Sequence, residues 1–154
     1  MNRVQELIHF PYFQGWGIAI VRIVTGIVFC VHGAQKFFVD GLATFAGFLS
    51  QYGIPAPHLF SPVVAAVELL GGLALIVGVF TRWAAIPLAI NMLVAGAIVH
   101  LPNGFFLPAG YEYTLVLLAA SVSLFLAGSG AFALDNILFR RTAKPTASHE
   151  PVMA

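Results

Sequence analysis

The stretch GWGIAIVRIVTGIVFCVHGAQKFF, residues Gly15–Phe38, decides the fold. A helix crossing a bilayer needs about 20 mostly apolar residues, and this run exceeds that. Yet it carries Arg22, His32 and Lys36. Wound as a helix at about 100° per residue, Arg22, Thr25, Gly26, Phe29, His32, Gly33 and Lys36 fall within an arc of roughly 120°. The opposite face is apolar. A charge facing lipid costs about 2.5 kcal/mol or more, so the stripe must face protein or a wet cavity. Lys36, near the end of the run, can reach the headgroups with its long stem. Arg22 lies too deep to do so, and partners must be sought elsewhere in the chain.

Composition sets the class. Of 154 residues, 60% are hydrophobic and 8% charged, against about 25% charged in a soluble domain. Mean hydropathy is +0.94. These values describe an integral membrane protein of one domain. A net charge of +1 argues against a nucleic-acid partner, which calls for a basic face. The single cysteine, Cys30, leaves no intrachain disulfide or CxxC chemistry. It reads as a small buried hydrophobe or, alternatively, a redox thiol. Met1 to Gln14 is too polar for a signal peptide, and the first run lacks a small-residue cleavage site, so that run is expected to stay as a permanent span.

Outward from the first run, Pro11, Tyr12, Phe13 and Trp16 resemble an interfacial anchor. Asp40 to Pro57 is too short and polar to span. It reads as a short helix in the interface, either a connector or a lid packed on the bundle. A second span is expected from Leu59 to Phe80. It places Glu68 on one face with Ser61, Val64, Gly71, Gly72 and Leu75. Gly71, Gly72 and Gly78 are small enough to let a neighbouring helix approach closely. A third span is expected from Trp83 to Leu101, kinked at Pro87. Asn91 at its middle serves an interhelical hydrogen bond, and His100, at the far end, points away from Asn91 on the helical wheel. A fourth span runs from Tyr111 to Leu126, with Glu112, Val116, Ala119 and Ser123 on one stripe. Glu112 also has a structural reason to be there, because exposed N–H groups at a helix start favour a carboxylate. Gly128-Ser129-Gly130 ends this helix, and a short surface helix follows at Ala133 to Leu138.

The expected architecture is therefore an all-α membrane protein. Residues 1–138 form a four-transmembrane-helix antiparallel bundle with a short interfacial helix between the first and second spans. Residues 139–154 form a disordered, basic cytoplasmic tail. With both termini inside, Arg3, Arg82, Arg140, Arg141 and Lys144 are cytoplasmic and Lys36 alone is outside. The positive-inside rule favours that orientation. His32, Lys36, Glu68, His100 and Glu112 then share the outer half, with Arg22 nearer the cytoplasm.

Two readings of this set stand side by side. In one, Arg22 or Lys36 pairs with Glu68 and merely pins the bundle. In the other, the ionisable groups serve a site, since intramembrane ionisable residues are functional candidates by default. A pocket for a small polar or quinone-like head group would use His32 and Glu68, with Phe29 as a wall. A proton path would use Glu68, His32 and Glu112. A haem would need His32 and His100 to face each other. A metal at His32, His100, Glu68 and Glu112 has suitable ligand types, but no short-spacing motif supports it, and none is expected.

Three segments carry a family resemblance: RIVTGIVFCVHGAQKF from Arg22, VAAVELLGGLALIVGVFTR from Val64, and GYEYTLVLLAASVSLFLAGSGAFALD from Gly110. Their order and spacing resemble the DoxX family of small bacterial inner-membrane proteins, over roughly Trp16 to Leu138. The resemblance implies a four-helix membrane bundle and an association with quinone-linked or thiol-handling redox complexes. Arg22, His32, Lys36, Glu68 and Glu112 are the family-like polar positions. Without a soluble catalytic domain or a cysteine pair, the chain reads as a membrane subunit of an oxidoreductase system rather than a stand-alone enzyme. The expected partners are the lipid bilayer, redox-complex subunits and a second copy of the chain. The expected ligand is a quinone or a small sulfur- or oxygen-bearing compound. The alternatives are a small-solute or proton pathway, or an assembly partner using the Gly71, Gly72 and Gly78 face.

Overall fold

The computed structural model describes residues 11–139, with side chains described from Gly15 to Leu138. The expected cytoplasmic tail, apart from the backbone of Phe139, lies outside the described residues, as do the side chains of Pro11, Tyr12 and Phe13. All regular structure among the described residues is helical. Helix α1 spans Pro11–Phe38, α2 Leu42–Gln51, α3 Pro57–Val77 and α4 Thr81–Val94. A π-helical segment, Ala95–His100, continues α4. Helix α5 spans Glu112–Ala127 and α6 Leu134–Phe139.

Three helical stretches are long and apolar enough to cross a membrane: Gly15–Phe38, Pro57–Val77 and Thr81–Asn103. Helix α5 is equally apolar but has 16 residues, a length of about 24 Å at 1.5 Å per residue.

Helix α1 packs chiefly on α3, and α4 chiefly on α5, while α3 also touches α4. The α1–α3 seam is built on glycine. A Cβ at Gly26 would lie 2.8 Å from the Gly72 carbonyl oxygen, and one at Gly72 would lie 2.5 Å from the Cys30 nitrogen. Gly33 meets the backbone of Leu69 and Ala65. As residue numbers rise along α1 they fall along α3, so the two helices run in opposite directions. The glycines at 26, 33 and 72 thus join helices within the chain, where van der Waals contact replaces the hydrophobic drive that lipid removes. Gly71 faces α4 instead, against Leu88.

The stripe on α1 faces inward as a charge in an apolar helix requires. Arg22, Thr25, Gly26, Phe29 and Gly33 are buried, Lys36 is half-buried and His32 is exposed. The stripe expected on the last long helix is different from the one observed. Thr114, Leu117, Ser121 and Leu124 are buried, whereas Val116, Ala119 and Ser123 are exposed. Burial at spacings of three and four residues marks the face that packs on α4.

Helix α2 lies against α3, with Ala46 and Leu49 buried and the Ser61 hydroxyl donating to the Leu42 carbonyl at 2.7 Å. Gly41 and Gly53 flank it at φ of 80° and 71°.

Candidate functional site

The polar residues of α1 separate into two places. Arg22 and Lys36 are 14 residues apart in sequence, about 21 Å along the helix.

At the Arg22 end the partners are backbone. Gly78 takes a left-handed φ of 74° and closes α3, with Val79 N–H donating to the Ala74 carbonyl at 3.0 Å. A helix end leaves carbonyls without intrahelical donors. The Arg22 guanidinium covers one of them, Ile76, at 3.0 Å, and gives a second donor at 2.5 Å to Leu75, which also accepts from the Gly78 N–H at 3.2 Å. Its other terminal nitrogen donates to Ala131 at 3.3 Å and Phe132 at 3.4 Å, in the turn before α6. Arg22 is fully buried. Nearby, the Asp135 carboxylate accepts from the N–H groups of Phe80 at 2.7 Å and Thr81 at 3.1 Å, capping the start of α4. This region ties α1, α3, α4 and α6 together. It does not bring Arg22 to Glu68. A Cβ at Gly78 would collide with the guanidinium, so this glycine provides a turn and clearance rather than a face for a partner.

At the other end, the Lys36 ammonium meets the Glu68 carboxylate at 2.5 Å. The second carboxylate oxygen accepts from the Asn91 side-chain amide at 2.8 Å. Glu68 is 4% exposed; a carboxylate so deep in an apolar helix requires such partners. Lys36 also lies 5.2 Å from the centre of the Phe45 ring, which α2 supplies. The bond between Glu68 and Asn91 joins α3 to α4, and the ion pair joins α1 to α3.

This cluster forms the wall of a cavity of about 660 Å³. His32, Lys36, Glu68, Asn91, His100, Tyr113 and Thr114 are its polar residues, and the remainder is mainly Phe, Val, Ile and Leu from α1 to α5. Helix α2 contributes Phe45, Phe48 and Leu49, so it covers one side of the cavity. The His32 and Tyr113 rings are 6.1 Å apart between centres.

His100 corrects the wheel. Nine residues at about 100° each put it opposite Asn91, yet both line the same cavity. The π segment Ala95–His100 lies between them; its wider i→i+5 turn rotates less per residue and carries His100 back toward Asn91. The His100 ring nitrogen Nδ1 lies 2.8 Å from the Ala109 carbonyl. Glu112 does not join the group. It accepts from the Leu107 N–H at 2.8 Å and so fixes the loop before α5. Among the described residues no three His, Cys, Asp or Glu side chains converge as metal ligands.

The sequence marks Asn91 only as a helix-pairing amide and gives Tyr113 no role. Asn91 had a signal, being the lone amide at mid-span opposite a lone carboxylate. Tyr113 had none beyond its place in the first turn of α5.

These features define a small all-helical membrane protein with one buried ion-paired cluster beside an apolar cavity. The chain belongs to the DoxX family, whose pattern matches residues 17–101. It is 35% identical to "Putative oxidoreductase CatD" of Bacillus subtilis, over 80% of this chain and 88% of the relative. An uncharacterized protein of Haemophilus influenzae is 32% identical over 92% of this chain and all of its own length. An uncharacterized membrane protein of Mycobacterium tuberculosis is 32% identical over 80% of this chain and 82% of its own. No solved structure matches at a significant level.

Proposed function

We propose that this protein is an accessory subunit of a membrane redox system, holding a small amphiphilic ligand in the cavity walled by Lys36, Glu68 and Asn91. A quinone or a small sulfur- or oxygen-bearing compound fits that description. One observation carries the reading: a single polar cluster, drawn from three helices, lies on the wall of an otherwise apolar cavity large enough for a ring-sized ligand. Sites for small molecules have this composition, apolar walls with a few placed polar groups. The oxidoreductase name of the Bacillus relative agrees with it.

In this reading α1, α3, the extended α4 and α5 are four antiparallel spans of the inner membrane, and α2 lies in the interface. Helix α5 is shorter than the roughly 30 Å apolar core, a mismatch that local thinning accommodates at modest cost. The positive-inside rule supports both termini in the cytoplasm. Redox-complex subunits and a second copy are the partners to seek on the exposed apolar faces.

The test is purification in mild detergent with mass spectrometry of extracted small molecules. Wild type should carry a quinone or related amphiphile, and Asn91→Ala and His32→Ala should remain folded and lose it. Folded variants retaining the same molecule at the same occupancy would remove the idea. A second reading has its own observation: Lys36, Glu68, His32 and Tyr113 all line one cavity. A proton path through them would give a flux in proteoliposomes that Glu68→Gln abolishes.

A further inference from the structure

Charge narrows the ligand. Among the described residues, Lys36 and Glu68 are the only Asp, Glu, Lys or Arg side chains on the cavity wall, and they neutralise each other at 2.5 Å. Counting histidines as neutral, the wall has no net charge. Arg22, the cation nearest along the same helix, is about 21 Å away and already bonded to four carbonyls. An anionic ligand would therefore enter an apolar space with no free counter-charge, and burying an unpaired charge costs several kcal/mol.

The approach to the cavity has the same character. Phe60, Val63, Ile90, Val94 and Ile98 line it and are exposed. They belong to α3 and α4 with its continuation, so the cavity opens between two long apolar helices. A ligand arriving there comes through hydrocarbon, which also selects against charge.

Hydrogen-bonding capacity remains inside. Among the described residues the His32 ring, the Tyr113 hydroxyl and the Asn91 side-chain oxygen have no hydrogen-bond partner. They come from α1, α5 and α4, on three sides of the cavity.

Resting on the ligand-binding reading above, we propose that the cavity is selective for uncharged, ring-bearing amphiphiles, whose hydroxyl or carbonyl oxygens bond to His32, Asn91 and Tyr113. The Lys36–Glu68 pair then acts as the charge filter. Asn91 and Tyr113 become head-group residues, and a sulfur oxyanion or a carboxylate is excluded.

A matched pair of probes tests this: 4-hexylphenol and 4-hexylbenzoate, alike in ring and tail but neutral and anionic at pH 7. Each is titrated calorimetrically into full-length protein in phosphatidylcholine nanodiscs, with empty nanodiscs subtracted. Wild type should bind the phenol at least about tenfold more tightly than the benzoate. Tyr113→Phe and Asn91→Ala should weaken the phenol. Glu68→Gln leaves Lys36 uncompensated and should raise benzoate affinity, a gain that loss of structure cannot produce. If wild type binds the benzoate as well as the phenol, the charge filter is overturned while the cavity reading stands. If neither probe binds wild type beyond empty nanodiscs, both are overturned. The wild-type comparison decides the matter even if Glu68→Gln does not fold.

Discussion

Arg22 and Lys36 stand on the same face of the same helix and have opposite relations to the rest of the molecule. Arg22 is fully buried and points its terminal nitrogens at four backbone carbonyls. Lys36 is half-buried, binds one carboxylate and looks into a cavity. The difference lies in what each charge satisfies. At the Arg22 end the cation completes helix α3, whose last carbonyls are short of donors and carry the negative end of the macrodipole. At the Lys36 end the carboxylate has no backbone donor, so side chains from two other helices must meet it. Backbone groups cannot be exchanged for a ligand, whereas side chains beside a cavity can. The first place is architecture; the second is the place to seek chemistry.

The largest effect should come from Arg22→Ala. It strips the side-chain donors from Ile76, Ala131 and Phe132, leaves Leu75 with the Gly78 N–H alone, and leaves a void at a junction of four helices. Each buried group left unsatisfied costs about 1–3 kcal/mol, so a loss above about 3 kcal/mol is expected. Folded yield and thermal stability in detergent check it. Arg22→Lys should recover part of the loss, because an ammonium reaches one or two of those carbonyls but lacks the planar fork. A stable, monodisperse Arg22→Ala protein that had lost ligand binding would break the comparison, and Arg22 would have to be moved to the site.

How much of this was legible follows from the kind of partner involved. That the α1 stripe faces inward could be read directly, since charges in an apolar helix have no alternative. The short helix between the first two spans was legible from its apolar spacing and its flanking Gly53 and prolines. The partners of Arg22 were not, because carbonyl oxygens leave no trace in residue identity. Lys36 and Arg22 were equal candidates for Glu68 until the register of α1 on α3 was fixed, by contacts such as Gly26 against Gly72. A wheel assumes uniform rotation, and the π segment that breaks it carries His100 away from the wheel position. Depth alone groups Glu112 with the site, while the chain folds Leu107 back onto it.

An intermediate effect is expected between the two regions, at Gly72. Even alanine there would place a Cβ 2.5 Å from the Cys30 nitrogen and 2.7 Å from the Gly26 oxygen, both backbone atoms that cannot rotate away. Helices α1 and α3 must separate, at about 1–3 kcal/mol for a forced fit. Separation also stretches the Lys36–Glu68 contact. Gly72→Ala should therefore lower thermal stability and weaken ligand binding together, unlike any variant confined to one end. Full stability with loss only of a partner protein would mean that the glycine serves another chain, against the close approach seen within this one.

The smallest effect on stability should be found at the pair itself. Lys36 lies in the last turn of α1, so without Glu68 its ammonium can turn toward the headgroups while the cavity holds no anion, and back to an anion that enters it. Gln at 68 can still accept the Asn91 amide bond. Glu68→Gln should then cost well under the about 3–5 kcal/mol of a partner trapped in the interior. Lys36→Met should cost more, because Glu68 is deeper and keeps only Asn91. In the double variant the stranded carboxylate is gone, so its loss should fall below that of Lys36→Met alone. Thermal unfolding of the four proteins, with ligand binding measured beside it, completes the cycle. If the pair is architecture like Arg22, stability and binding will fall in proportion. If it filters charge at a cavity, Glu68→Gln will lose the preference between neutral and anionic ligands, and the double variant, whose wall is uncharged again, will regain it together with stability.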